Sequence, residues 1–140
     1  MKAIDTLKST NYSCVIAKSG TVVAALNGLG VKPIISTLDR YPQMLAGAEL
    51  ADKVIGKAAA MLLVKAGAAY VYGDIMSKGA EDYLIRSNIP YSYGELVELI
   101  QNRTMDGSCP LEQAVAAIDD LDEGIAAIRQ TIARLMAAKA

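Results

Sequence analysis

The sequence predicts an α/β protein, a mixed sheet covered on both faces by helices. Three observations carry that reading. A hairpin-like pair of apolar runs opens the chain, helical and extended segments then alternate, and residues 119–138 repeat large aliphatics at helical spacing. With 53% hydrophobic and 21% charged residues in 140, the chain has enough apolar surface for one folded domain and too much for disorder.

The elements follow in order. Residues 2–9 (KAIDTLKS) read as a short helix. The apolar runs 12–18 (YSCVIAK) and 21–26 (TVVAAL) flank Ser19-Gly20, a turn signal, and so form a hairpin. Asn27 to Gly30 is a loop. Pro33 suits the first turn of a helix that continues through Ile34, Ile35 and Leu38 and stops at Tyr41-Pro42. Residues 44–51 form a short strand or an extended approach. Asp52 then N-caps a helix from Lys53 to about Lys65, ended by Gly67; apolar nearly all round, it is a buried helix. Residues 68–72 (AAYVY) are a strand closed by Gly73-Asp74, 77–87 a helix, and 90–93 a short strand. Residues 95–101 read as helical, 102–108 as a loop, and Pro110 starts a helix through Leu111, Val115 and Ile118. In the last helix Leu121, Ile125, Ile128, Ile132 and Leu135 form a heptad-like seam.

Composition narrows the function. Lys plus Arg number 14 and Asp plus Glu 15, a net charge of −1. Such a chain is not expected to bind nucleic acid or membrane surfaces through charge. There is no His, which removes Ser-His-Asp triads, Cys-His dyads and His-liganded metal sites. Asp5 and Lys8 interrupt any signal-peptide run after Lys2, and Lys18, Lys32 and Lys65 break the most apolar windows. A cytoplasmic protein without a membrane span is expected, with Cys14 and Cys109 as free thiols.

Three places have residue types suited to a site. Gly28 to Pro33 puts glycines and Lys32 ahead of a helix, where an anion can sit, although a strand-to-helix turn needing positive φ is the favoured account of the glycines. Glu49, Asp52, Lys53, Gly56 and Lys57 surround the start of the buried helix. On that helix Lys53 and Lys57 share a face, with Asp52 and Gly56 on the adjacent one. They form a ligand mouth, or else an N-cap, two snorkelling lysines and a packing glycine. In Cys109-Pro110-Leu111-Glu112 the thiol takes the N-cap position and Glu112 the third helical one, the spacing of a capping box. A helix N-terminus lowers a thiol pKa, so Cys109 is expected to ionise more readily than strand-buried Cys14. The acidic cluster Asp119, Asp120, Asp122 and Glu123 reads as favourable charge at a helix N-terminus.

Three of these segments together carry a resemblance: Gly30-Val31-Lys32-Pro33, the block from Ala51 to Ala60 (ADKVIGKAAA), and Cys109 to Glu112. Across about residues 10–118 the chain resembles a small uncharacterised prokaryotic family of cytidine deaminase-like fold. The resemblance implies a three-layer α/β/α sandwich, with the strand pair first and the buried helix where deaminases carry their first zinc ligand. Zinc deaminases need a His or Cys there, a nearby Glu and a later P-C-x-x-C. Residues 51–53 hold neither His nor Cys, and residues 73–79 hold no Cys.

The expected organisation is therefore a deaminase-like domain over 1–118 and a C-terminal amphipathic helix over 119–140 that is not an independent domain. The expected function is zinc-independent binding of a small anionic or nucleotide-like ligand, with no metal or cofactor. Cys109, Asp52 and Lys53 are the candidate chemical groups, and Glu49, Gly56, Lys57 and Glu112 the candidate ligand contacts. Two alternatives stand beside it. One is a metal-free enzyme with Cys109 as nucleophile. The other is an oligomeric scaffold or regulator. In any of the three the 119–138 seam is expected to meet a second copy of the chain, or else to fold back on its own domain.

Overall fold

A computed structural model describes residues 1–28, 30–100 and 109–139. The expected loop 102–108 and position 29 of the Gly28–Pro33 segment lie outside them. The strands are β1 (Cys14–Lys18), β2 (Thr21–Leu26), β3 (Glu49–Ile55), β4 (Tyr70–Ser77) and β5 (Tyr91–Val97). They form one mixed sheet in the order β2-β1-β3-β4-β5. β1 is antiparallel to both β2 and β3, while β3, β4 and β5 run parallel. Ser19 and Gly20 turn the hairpin at φ 52 and 78, the left-handed conformation that a tight hairpin turn requires.

The helices are α1 (Lys2–Ser9), α2 (Lys32–Arg40), α3 (Pro42–Leu45), α4 (Lys57–Ala66), α5 (Lys78–Arg86), α6 (Pro110–Val115) and α7 (Leu121–Lys139). They cover the two faces unequally. α1 sets Ala3 and Leu7 against Val15, Ala17, Ala51 and Tyr72. The larger core lies on the other face, where α2, α4, α5, α6 and α7 pack on Ile16, Leu50, Val71 and Met76. At its centre is α4, in which Ala58 to Leu63 are all buried. Ala58, Ala59 and Ala60 let neighbouring elements approach closely, and Gly67 ends it at φ 78.

Several boundaries depart from the sequence reading, each for a tertiary reason. Asp52 and Lys53 lie inside β3, and the buried helix begins at Lys57 after Gly56. β3 is paired on both sides, to β1 and β4, and this pairing overrides the helical spacing of Val54 and Ile55. Lys53 and Lys57 are therefore not neighbours on one helix. β4 runs through Gly73-Asp74 to Ser77, because Gly73 packs on the Ile55 side chain; an added Cβ would lie 3.0 Å from its Cγ1. Residues 95–97 extend β5 rather than starting a helix, since Leu96 and Val97 pair with Met76 and Ser77. Pro42–Leu45 forms one helical turn, and β3 starts only at Glu49.

The C-terminal seam folds back on its own domain. Ile125 and Ile128 are buried in the main core, with Leu121 and Ile132 packed at its edge. These residues are thus not free to meet a second copy of the chain. Gly124 allows this approach, since a Cβ there would lie 2.7 Å from the Met61 sulfur of α4. Arg129 clamps the helix to α2 through two hydrogen bonds to Asp39, at 2.7 and 3.1 Å. Only the end of the seam, Leu135 with Met136 beside it, stays exposed. Among the described residues no helix is long and apolar enough to cross a membrane.

Internal use of the seam sets a gradient along α7. Ile128→Ala is expected to cost about 2–5 kcal/mol of unfolding free energy by urea denaturation, and Leu135→Ala less than about 1 kcal/mol. Equal costs, or a concentration-dependent midpoint lost in Leu135→Ala, would assign the seam to an interface.

Candidate functional site

The parallel strands end where α4 and α5 begin, and the carboxyl ends of parallel strands are the usual place for a ligand crevice. A cleft of about 310 Å³ opens there, among Lys57 at the start of α4, Ser77 and Gly79 at the start of α5, Glu98 and Leu99 after β5, and the α6–α7 turn. Ser77 is fixed as the α5 N-cap, its hydroxyl accepting from the Ala80 N–H at 3.1 Å.

One wall of the cleft is built by Glu112 of α6. Its Oε1 accepts the backbone N–H of Lys57 at 2.7 Å, and its Oε2 that of Ala58 at 2.9 Å. The start of α4 thus holds an anion, as its dipole favours, and the anion is the chain's own carboxylate. Gly56 makes room for it. A Cβ at Gly56 would lie 2.5 Å from the Glu112 carboxyl carbon. The backbone there is extended, at φ −99 and ψ −179, so the glycine answers to the carboxylate rather than to strain.

The other wall carries two cations on one acid. Asp119, in the α6–α7 turn, lies 3.1 Å from the Arg86 guanidinium and 3.4 Å from the Lys57 ammonium. Arg86, and then Lys57, hold its carboxyl below the usual carboxylate range. The turn itself is pinned by its backbone: the Tyr83 hydroxyl donates to the Asp119 carbonyl at 3.1 Å and Lys57 Nζ to that of Ala116 at 3.4 Å. The Arg86 guanidinium also lies over the Tyr83 ring, 5.9 Å from its centroid.

Of the residues singled out in the sequence, Lys57 and Glu112 meet at this cleft, with Gly56 beneath the carboxylate. The others lie elsewhere. Glu49 is at the opposite end of β3, and Lys53 is exposed in mid-strand. Cys109 takes the predicted N-cap position of α6, without a side-chain cap bond, half-buried at the edge of the core. Arg86, Tyr83 and Asp119 were not singled out for the site. Arg86 reads as an ordinary last-turn basic residue, and Asp119 as one acid of a helix-start cluster. In that cluster it is Asp120 that caps α7, accepting the Glu123 N–H at 2.9 Å.

Asp52 belongs to a separate buried pair. It faces Cys14 across the β1–β3 ladder. Burial is the main cause raising its pKa to about 6, opposed by hydrogen bonds from the Val54 N–H, the Cys14 thiol and the Lys53 N–H. Burial, and then the Asp52 charge, push the Cys14 thiol well up. Cys14 is thus a poor nucleophile at neutral pH. Among the described residues no group of three or more His, Cys, Asp or Glu is placed to hold a metal ion. A second cleft of about 350 Å³ lies between α6 and α7. Among the described residues its lining has one cation, Arg134, within hydrogen-bond distance of Thr131, and no strand residue.

Two predictions follow from Glu112 and Asp52. Glu112→Ala and Gly56→Ala are each expected to cost about 1–2 kcal/mol, because both remove the α4 cap. In a double-mutant cycle the second substitution should then add little; full additivity would mean that Gly56 serves something else. For Asp52, the native pKa of about 6 exceeds the ordinary 3.8, so the native state holds its proton more tightly. The associated stability is complete below about pH 4 and is lost as pH rises through about 6. Urea unfolding is expected to show a gain of about 1 kcal/mol from pH 7 to pH 5, and Asp52→Asn to abolish that slope. An unchanged slope in the variant would place its origin in other groups.

Comparison with known proteins matches this architecture to one family. No curated protein matches the chain. Among solved structures it is similar to the crystal structure of a DUF1893 family protein, TM1506, from Thermotoga maritima. The two share 26% identity over 91% of this chain and 86% of that one, with a TM-score of 0.83. The family model described as TM1506, domain of unknown function (DUF1893), matches residues 2–132, taking in most of the C-terminal helix as well as the sheet, and the chain therefore belongs to the DUF1893 family.

Proposed function

We propose that this chain is a zinc-independent domain of deaminase-like fold that binds a small anionic ligand in the cleft at the ends of β4 and β5. One observation carries the reading: Lys57 from α4 and Arg86 from α5 converge on a single carboxylate oxygen, that of Asp119. Two cations on separate elements aimed at one oxygen make a geometry into which a carboxylate or phosphate group fits. The N-terminal end of α5 adds partial positive charge, while that of α4 is already met by Glu112. The initial hairpin and the buried helix after β3 support the deaminase-like part of the reading. The start of that helix is Gly56-Lys57, so no zinc ligand stands where deaminases carry their first.

The cleft selects against high charge. Asp82, Glu98, Glu112 and Asp119 face Lys57 and Arg86 across it. Glu112 is neutralised by the α4 backbone, but Asp82 and Glu98 are exposed at the mouth and repel polyanions. A compact group of low charge therefore fits better than a triphosphate, and about 310 Å³ is at the small end of ligand clefts.

Titration calorimetry with inorganic phosphate and with succinate tests the reading. The wild-type chain is expected to bind at least one of them, and Arg86→Gln or Lys57→Met to weaken it about tenfold or more. Binding that survives both substitutions unchanged would move the site away from this cleft.

A further inference from the structure

Resting on that reading of the cleft, we infer that Asp119 is a built-in competitor, a carboxylate that occupies the place of the ligand's oxyanion between Arg86 and Lys57 and swings out when the ligand binds. Three features separate it from Glu112, the carboxylate fixed on the opposite wall of the cleft. Among the described residues its carboxylate meets side chains alone, at 3.1 and 3.4 Å, whereas Glu112 is held by two backbone N–H groups at 2.7 and 2.9 Å. Its side chain is 63% exposed and that of Arg86 58%, so this pair is screened and leaving it costs little, while Lys57, 13% exposed, keeps the Ala116 carbonyl as a partner. Its backbone is anchored independently, through the Tyr83 hydroxyl on its own carbonyl and the Asp120 cap of α7. Rotation about the Asp119 side-chain torsions therefore frees both cations without moving the turn or α7.

The ligand class follows from what is displaced. An oxyanion that presents one oxygen to Arg86 and Lys57 together, as the Asp119 carboxylate does, can take its place. Both a carboxylate and a phosphate group meet that requirement. Binding is then an exchange of one anion for another at a fixed cation pair, and its apparent affinity is lowered by the internal competitor. Glu112 stays in place throughout, because removing it would leave two buried N–H groups at the α4 start without a partner.

The experiment compares wild type, Asp119→Asn and Asp119→Asn/Arg86→Gln by calorimetry, with inorganic phosphate in one arm and succinate in the other. Asp119→Asn is expected to bind about five- to tenfold more tightly than wild type in the arm matching the natural oxyanion, and the double variant to lose that gain. In parallel, the Asp119 side-chain carboxyl carbon is followed by NMR in the wild-type chain. On saturation its titration should move up toward the ordinary carboxylate range, as its cations are taken by the ligand. Equal affinity in wild type and Asp119→Asn, with an unmoved Asp119 titration, overturns the competitor while leaving the binding site standing. Weaker binding in Asp119→Asn makes Asp119 a ligand contact instead and also overturns it. No binding of either probe by wild type or Asp119→Asn overturns the cleft reading itself.

Discussion

The pairing of the Glu112 carboxylate with the first N–H groups of α4 is the contact on which the arrangement of the cleft depends. α4 is the centre of the main core, and its N-terminus is where the sheet hands over to the helices. A carboxylate from α6 satisfies two of its orphan donors and the dipole together. α6 is thereby fixed relative to β4 and α5, and the turn after α6 comes to lie beside Arg86. Lys57 takes part twice, by its backbone in the cap and by its ammonium in the cleft. Gly56 is the sequence-level condition for all of this, since any side chain there would occupy the carboxylate's space.

Two acids that look alike in the sequence end in opposite electrostatic settings. Glu112 meets backbone donors at a helix start, while Asp52 is buried in mid-sheet beside a thiol. Desolvation dominates at Asp52 and raises its pKa to about 6, whereas the Glu112 carboxylate is met by the positive end of α4. No cation lies opposite Asp52 across the ladder, only Cys14 and Gly73. Its cost of roughly 2–3 kcal/mol at neutral pH is therefore carried by the rest of the core.

The residues divide according to whether local or distant partners decide them. The hairpin, α2, α6 and the long α7 were legible because their signals are local: Ser19-Gly20, Pro33, Pro110 and the seam from Leu121 to Leu135. The start of the buried helix was not. Val54 and Ile55 suit a helix by spacing and a strand by composition, and only pairing to both β1 and β4 chooses. The capping role of Glu112 was visible as spacing, but its target was misread. It reaches back 55 residues to Lys57 rather than to the start of its own helix. Arg86 and Asp119, 33 residues apart in sequence, had nothing to mark them until α5 and the α6–α7 turn were set side by side.

The same reasoning explains how the α4 start is ordered beside an open cleft. A helix start beneath a cleft needs a negative partner, and a bound ligand set or a side-chain carboxylate can each supply the local order. Here Glu112 supplies it, and it does so permanently, because two backbone donors depend on it. Order at the α4 start is therefore independent of any ligand, and what remains adjustable is the pair of cations above it, exposed Arg86 and half-buried Lys57. Lys57 and Arg86 without a counter-charge would repel one another across the cleft. Asp119 removes that repulsion in the empty protein, and its carboxylate can be exchanged for another because its backbone is held elsewhere. Fixed and exchangeable carboxylates thus sit side by side, distinguished by whether backbone or side chains hold them.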